Sequence, residues 1–213
     1  MSKFRRVMCF LLSVVAFACL LPLPGAAQEI ALASEAAVLM DAKSGQILYG
    51  KNMDSTMYPA SITKVLTGLL ALKYAKETDK VTMTQAGVSQ VPRTSSHIAL
   101  EPGEAFTMKD ALYALALVSA NDAAVAIAET VSGSVEDFAK LMNEEAEKLG
   151  AYNSHFVNPN GMPNQDHYTT ARDMALITAE ALKQEGFLTY FGAKSYEMPA
   201  TNLSAARPLV SKN

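Results

Sequence analysis

One stretch, residues 58–70, places the strongest constraint on how this chain folds. It reads Tyr-Pro-Ala-Ser-Ile-Thr-Lys-Val-Leu-Thr-Gly-Leu-Leu. Pro59 stands where a helix can begin, because the first helical turn does not use the N–H that proline lacks. Apolar residues then recur at three- and four-residue steps, the spacing of one buried helical face: Ile62, Val65, Leu66, Leu69 and Leu70. The pattern predicts a packed helix over residues 59–76.

Ser61 and Lys64 lie three residues apart at the start of this helix. This spacing puts the two side chains on one helical face, where they can touch. A hydroxyl becomes a good nucleophile when a base removes its proton, and an amine can be that base if burial lowers its pKa. Free N–H groups at the helix start would also suit a developing oxyanion. The sequence therefore predicts Ser61 as a catalytic serine and Lys64 as its base.

The same two residues also have a simpler interpretation. Serine is a common helix N-cap, and lysine is mostly a solvated surface residue. Because both residue types are abundant, about one Ser-x-x-Lys pair is expected by chance in a chain of this length. The pair alone therefore does not establish a catalytic site.

A second polar cluster, the Ser-Ala-Asn of residues 119–121, lies between two very apolar predicted helices. Polar groups in such surroundings need hydrogen-bond partners, since an unsatisfied buried polar group is costly. One interpretation is a helix C-cap followed by an N-cap. The functional interpretation makes Ser119 a proton relay to Lys64 and to a departing amine, with Asn121 binding a substrate amide.

The remaining pattern predicts an α/β fold, with a helix-rich lobe over residues 85–185 beside an antiparallel sheet. Gly45 falls in a tight turn between two short apolar runs, so residues 36–49 are predicted as a hairpin. Further helices are predicted over residues 108–118, 123–131, 135–149 and 170–185, and further strands over residues 81–84, 97–100 and 194–198. A turn is predicted at residues 101–103 and a polar loop over residues 151–168.

Residues 1–27 have the pattern of a secretory signal peptide. Lys3, Arg5 and Arg6 precede a long apolar run, and small residues follow it. We expect cleavage near Ala27, with residues 31–33 as a second candidate site and an uncleaved membrane anchor as the alternative.

Both cysteines, Cys9 and Cys19, lie in this leader. The exported chain would therefore have no disulfide, no thiol nucleophile and no zinc–thiolate site.

Composition narrows the class of protein further. Half of the residues are hydrophobic and 18% are charged, which is typical of a globular chain with a core. The net charge is -3 and no basic stripe carries interleaved aromatics, so nucleic acid is not an expected partner. The three histidines, His97, His155 and His167, lack metal-binding helical spacing, and each is expected to form hydrogen bonds in a loop. No metal or cofactor is expected.

These motifs together resemble those of the low-molecular-weight penicillin-binding proteins, the D-alanyl-D-alanine carboxypeptidases. Ser-x-x-Lys followed by Ser-x-Asn is the pattern of penicillin-binding proteins and class A β-lactamases. The flanking sequence is more specific, and the resemblance extends over the chain from about Ala36. The segments that carry it are residues 40–52, 59–64, 100–104, 119–123 and 158–171.

The resemblance implies a DD-peptidase/β-lactamase-like fold and an exported serine acyl-transfer enzyme of the cell envelope. Ser61 would attack the carbonyl between the two terminal D-alanines of a peptidoglycan stem peptide, and Lys64 would accept its proton. Ser119 would help to pass the proton to the leaving D-alanine, and Asn121 would hold the peptide. Water would then release the acyl-enzyme, whereas β-lactam inhibitors would acylate Ser61 and leave slowly.

The family's third motif, Lys-Thr-Gly, is missing from its usual place. Residues 43–45 match it in part but precede Ser61, and residues 211–213 have the letters of Ser-x-Asn at the chain end. We expect residues 28–213 to be the N-terminal part of the catalytic domain, with its C-terminal strands missing and an open sheet edge. The missing part would supply carboxylate-binding residues, one oxyanion N–H and any membrane-binding segment, so that residues 1–213 alone would be impaired.

Three alternatives to an active carboxypeptidase remain open. A binding module for peptidoglycan or β-lactam would be acylated without turnover. A β-lactamase-like hydrolase would need a glutamate that activates water, and residues 152–168 contain Asp166 but no glutamate. A non-catalytic helical protein would not be acylated at all.

Overall fold

The computed structural model describes residues 31–211. The predicted signal peptide, its cleavage site near Ala27, both cysteines and residues 212–213 lie outside the described residues. The contacts group Glu35–Asn213 into one unit, separate from Met1–Ser34.

Antiparallel strands pair into three separate two-stranded ladders in residues 31–211. β1 (Ala37–Met40) pairs with β2 (Ile47–Lys51), β3 (Lys80–Thr82) with β4 (Ala105–Thr107), and β5 (Ser195–Met198) with β6 (Arg207–Val210). The register is irregular at one point of the first ladder, between Leu39 and Met40. Each strand therefore has a partner strand on one side only within the described residues.

The turn between β1 and β2 has the chemistry that its sequence predicts. Gly45 has a φ of 72°, a conformation that glycine adopts at little cost. The carboxylate of Asp41 accepts hydrogen bonds from the backbone N–H groups of Lys43 and Ser44. These bonds close the hairpin locally, so its position in the sequence was predictable.

Helices contain more of the described residues than the strands do. They are α1 (Lys64–Tyr74), α2 (Gln85–Ser89), α3 (Met108–Val118), α4 (Asn121–Ser132), α5 (Val135–Lys148), α6 (Ala171–Ala181) and α7 (Phe187–Phe191). Three of them begin at the predicted caps, Thr107, Ser134 and Thr170, whose hydroxyls accept the N–H of an aspartate three residues later. No described helix is long and apolar enough to cross a membrane.

Helix α1 lies at the centre of the core, in contact with α3, α4 and α6. Leu66, Leu69 and Leu70 are fully buried along it. Truncating such a leucine to alanine costs about 2–5 kcal/mol, because lost apolar contacts and a residual cavity add together. The packing therefore holds the start of α1 on a rigid support.

Two features at the start of α1 differ from the prediction. Ala60–Thr63 form a 3-10 turn before the α-helix begins at Lys64. This tighter winding rotates Ile62 out of the apolar face, so its side chain is 58% exposed rather than buried. The helix also ends at Tyr74, two residues before the predicted end.

The strand predicted at residues 97–100 does not form. The N–H groups of Ile98 and Leu100 donate to the carboxylate of Asp122 instead of to a neighbouring strand. Ala99 between them has a φ of 58°, outside the β region. β4 is instead the partner of β3, and its three residues were too short a signal to detect in the sequence.

The helix boundaries differ in smaller ways. Helix α4 begins at Asn121 rather than at residue 123, and α6 ends at Ala181 rather than at residue 185. The short helices α2 and α7 were not predicted, since five residues carry little periodicity. With helices packed together and short antiparallel strands at their sides, the predicted α/β class is confirmed.

We expect Asp122→Ala to destabilise the protein by about 2–4 kcal/mol, because hydrogen bonds to a buried carboxylate are strong ones. Urea unfolding would measure this, and amide hydrogen exchange should show faster exchange at Ile98 and Leu100. Glu144→Ala, an exposed acid on α5, is the control and should change stability by less than about 0.5 kcal/mol. Equal effects of the two variants would contradict the role of Asp122.

Candidate active site

The backbone before Ser61 is held in a strained conformation. Pro59 has a φ of -71°, and Ala60 follows with a φ of 47°, which is unfavourable for a residue with a Cβ. Ser61 is then exposed in the 3-10 turn, whereas Lys64 at the start of α1 is buried. The chain thus presents the serine to solvent and directs the lysine inward.

Lys64 is 2% exposed, and its amine has three hydrogen-bond partners. Nζ donates to Ser61 Oγ at 3.2 Å, to Asn121 Oδ1 at 2.7 Å and to the backbone carbonyl of Asn160 at 2.7 Å. The predicted contact between Ser61 and Lys64 is therefore present. These contacts also join the starts of α1 and α4 to the loop that contains Asn160, which lies 96 residues after Lys64 in the sequence.

Burial lowers the pKa of Lys64 from its ordinary value of 10.5 to about 8. The cause is desolvation, since none of its three partners carries a charge. With a pKa of 8, about one amine in ten is neutral at pH 7, against about one in three thousand for an ordinary lysine. Lys64 can therefore accept a proton near neutral pH.

Asn121 is oriented by the same contact. Its carbonyl oxygen accepts from Lys64, which leaves the amide nitrogen pointing the other way, toward Met162 Sδ at 3.5 Å. A thioether is a weak acceptor. A substrate carbonyl could therefore replace the sulfur as the acceptor for this amide.

Ser119 does not join this network. It caps the end of α3 in a left-handed conformation, with a φ of 56°. The interpretation of the motif as a C-cap is thus correct, whereas the N-cap of α4 is Ala120 and not Asn121 or Asp122. Its hydroxyl is buried and has no hydrogen-bond partner in the described part of the chain. Its role as a proton relay stays a prediction.

The loop over residues 157–162 was not identified from the sequence as part of the site. Asn158 Oδ1 accepts the N–H groups of Gly161 and Met162 at 2.7 and 3.1 Å, which folds the loop on itself. Gly161 has a φ of 80°, and a Cβ added there would lie 1.8 Å from the carbonyl oxygen of Ala60. Only glycine permits the loop to approach this closely beside Ser61.

The chain that continues from this loop is attached at His167 to Thr63 of the 3-10 turn. Thr63 Oγ1 lies 2.8 Å from His167 Nε2, and both residues are buried. Burial lowers the pKa of His167 to about 4, with His155 contributing, so the imidazole is neutral. A second tie joins Thr67 Oγ1 to the carbonyl of Pro159 at 2.6 Å.

The other two histidines also form the expected loop hydrogen bonds. His97 contacts the carbonyl of Arg93 at 3.2 Å, and His155 contacts that of Asp166 at 2.6 Å. Within residues 31–211, no three histidine, cysteine, aspartate or glutamate side chains are grouped so that they could hold a metal ion.

A cavity of about 400 Å³ lies beside the strained turn. None of the residues that line it carries a charge near neutral pH: Tyr58, Pro59, Ala60, Gly161, Met162, Pro163, Asn164, Gln165 and His167. Met162 therefore lines the cavity and contacts Asn121 as well. The cavity is suited to an uncharged group.

A serine hydroxyl, a buried lysine amine of lowered pKa and an amide on the same amine define the class of serine acyl-transfer enzymes of the Ser-Lys type. The sequence model of the peptidase S11 family, described as D-alanyl-D-alanine carboxypeptidase, matches residues 24–207. The chain belongs to the D-alanyl-D-alanine carboxypeptidase family.

Curated relatives and solved structures agree with this assignment. The D-alanyl-D-alanine carboxypeptidase DacF of Bacillus subtilis is 41% identical over 169 residues, which cover 77% of this chain and 43% of DacF. The crystal structure of a D-alanyl-D-alanine carboxypeptidase from Mycobacterium tuberculosis has a TM-score of 0.81 at 27% identity, covering 89% of this chain and 70% of that chain.

Penicillin binding protein 6B from Escherichia coli has a TM-score of 0.79 at 26% identity, covering 90% of this chain and 61% of that chain. The DD-peptidase-like fold that the sequence predicted is confirmed by these structures. The chain spans less than half the length of DacF.

We expect Gly161→Ala to destabilise the protein by more than about 2 kcal/mol, because the new Cβ would collide with a backbone carbonyl in addition to the strained φ. Gly133→Ala is the matched control, since Gly133 has a φ of 83° with open space around it. Urea unfolding of both variants separates the collision from the φ strain. Equal losses would contradict the close approach of Gly161 to Ala60.

Proposed function

We propose that this chain carries the acylation machinery of a serine-type D-alanyl-D-alanine carboxypeptidase. The substrate is a peptidoglycan stem peptide ending in D-Ala-D-Ala, from which the terminal D-alanine is removed. The observation that carries the proposal is the contact of the buried Lys64 amine with both Ser61 Oγ and Asn121 Oδ1. Family membership supplies the substrate class.

The first step is attack by Ser61 on the carbonyl carbon between the two D-alanines. Neutral Lys64 accepts the hydroxyl proton over the 3.2 Å contact as the oxygen–carbon bond forms. The carbon–nitrogen bond then breaks, and the leaving amine takes a proton through Lys64 and Ser119. Water releases the acyl group from Ser61 in a second step.

Asn121 holds the peptide during both steps. Its carbonyl oxygen is fixed by Lys64, so its amide nitrogen donates to a backbone carbonyl of the substrate in place of Met162 Sδ. β-Lactams take the same position, because their amide mimics the terminal dipeptide, and they acylate Ser61.

The location that fits this substrate is the cell envelope, outside the cytoplasmic membrane. Peptidoglycan lies there, and the predicted leader at residues 1–27 would direct export. We also propose that the protein associates with the membrane through a further C-terminal segment.

A second candidate is a module that binds penicillin or peptidoglycan and is acylated without efficient turnover. The unpaired hydroxyl of Ser119 favours it, because the relay to the leaving group is not connected to Lys64 in the described residues. A β-lactamase-like activity is less well supported, since the loop reaches Lys64 through the carbonyl of Asn160 and not through a glutamate.

A fluorescent penicillin should label the chain covalently, and Ser61→Ala should abolish the label because the nucleophilic oxygen is gone. Gel fluorescence after denaturation measures the adduct, with Ser55→Ala, an exposed serine before the site, as the control. An adduct that persists in Ser61→Ala, or none on the unsubstituted chain, would overturn the proposal. Release of D-alanine from a D-Ala-D-Ala peptide then separates the carboxypeptidase from the binding module.

Acylation should rise with pH by about tenfold per unit up to about pH 8 and then level off, because only neutral Lys64 accepts the proton. The lowered pKa of Lys64 sets this direction, because the amine is protonated at a pH below its pKa and neutral at a pH above it. Stopped-flow labelling from pH 6 to 9.5 measures the profile. Lys64→Arg should remove the dependence together with most of the rate, since a guanidinium stays protonated. A rate that still rises about tenfold per unit at pH 9.5 would contradict the buried amine as the base.

A further inference from the structure

Thr63 occupies a central place between Ser61 and Lys64. It is fully buried, and its hydroxyl contacts His167, which lies 104 residues later in the chain. No role was assigned to either residue in the reaction described above. The contact nevertheless links the turn that carries the nucleophile to the end of the loop that covers its base.

The hydrogen-bond partners of His167 fix where its proton lies. The N–H of Val157 points at Nδ1 at 3.1 Å, so Nδ1 is the acceptor and carries no hydrogen. Nε2 therefore carries the hydrogen and donates it to Thr63 Oγ1. The neutral imidazole uses its one acceptor and its one donor, and a second proton would face the N–H of Val157.

The two ends of the loop over residues 157–167 meet at this imidazole. Val157 is the first residue of the loop, and His167 itself is the last. Between them, Asn160 delivers its backbone carbonyl to Lys64 Nζ at 2.7 Å. If the imidazole is lost, two side-chain hydrogen bonds between this loop and α1 remain in the described residues: that of Lys64 itself to Asn160 and that of Thr67 to Pro159.

We propose that His167 is a positioning residue for the Ser61–Lys64 pair: its imidazole clamps Thr63 to Val157 and so keeps the loop closed over the Lys64 amine. The importance of this clamp for catalysis rests on the proposed function. The clamp itself does not, since it concerns how Lys64 is shielded from water. Without it, water reaches Nζ and the lysine behaves as an ordinary one.

A purely structural role would have a different consequence. His167 also packs edge-on against Phe156, with ring centroids 5.6 Å apart, so its loss lowers stability in either case. If the variant only loses stability, the molecules that remain folded keep the same site around Lys64. The titration of Lys64 in the folded protein distinguishes the two roles, because it reports how far the amine is hydrated. Its partners Ser61, Asn121 and Asn160 are uncharged, and the titratable neighbour of His167 is His155.

The experiment follows the Lys64 side chain by NMR in the full chain labelled at lysine Cε, with its signal assigned by its loss in Lys64→Arg. The unsubstituted chain should titrate at about pH 8. In His167→Ala the midpoint should rise by at least about one pH unit toward 10.5, because hydration restores the charged form. His167→Gln should stay near 8, since one amide offers both an acceptor oxygen and a donor nitrogen.

The matched control is His155→Ala, which removes an exposed histidine that contacts the backbone carbonyl of Asp166 and neither Thr63 nor Val157. Its Lys64 midpoint should remain at about 8. An unchanged midpoint in folded His167→Ala would overturn the proposal. If that variant does not fold, Thr63→Val decides, because it removes only the hydroxyl: a raised midpoint supports the clamp and an unchanged one overturns it.

These titrations need no acylation, so the two proposals fail separately. A raised Lys64 midpoint in a chain that no penicillin labels would refute the proposed function and leave the clamp standing. Where labelling does occur, the pH profile of acylation in His167→Ala should move upward together with the Lys64 midpoint.

Discussion

The burial of a single amine without a counter-ion is the constraint on which the rest of the site depends. Lys64 Nζ lies among a hydroxyl, an amide oxygen and a backbone carbonyl, none of them charged. Desolvation penalises the ammonium form, while the three acceptors hold the nitrogen in place. Because the 3-10 turn before α1, the start of α4 and the loop over residues 157–162 each supply one partner, movement of any of the three would expose the amine to water and restore its ordinary basicity.

The backbone around this amine is held in conformations that an isolated chain avoids. Ala60 has a positive φ, and Gly161 approaches its carbonyl more closely than any side chain would permit. Such strain persists where the surrounding structure over-determines it. Here the support comes from the fully buried face of α1 and from hydrogen bonds between uncharged groups, those of Thr63 with His167 and of Thr67 with Pro159. An acidic side chain at the position of the Asn160 carbonyl would raise the pKa of Lys64 and keep it protonated.

Those parts of the fold that depend on neighbours in sequence were predictable from the sequence. The Gly45 hairpin and the caps at Thr107, Ser134 and Thr170 are closed by bonds spanning three or four residues. The strand predicted at residues 97–100 was wrong because Asp122, more than twenty residues away, accepts its N–H groups. A local pattern cannot show that a distant carboxylate will replace a neighbouring strand.

The same division applies to the site. The sequence alone determined that Ser61 and Lys64 share one helical face, because a three-residue spacing brings side chains together in any helix. The polar cluster between two apolar predicted helices added Asn121. Only the tertiary structure decided that the carbonyl of Asn160 and the imidazole of His167 take part. Every residue has a carbonyl, and contacts across about 100 residues arise only when the core places both segments against α1. The burial that lowers the pKa of Lys64 is therefore a property of the folded protein.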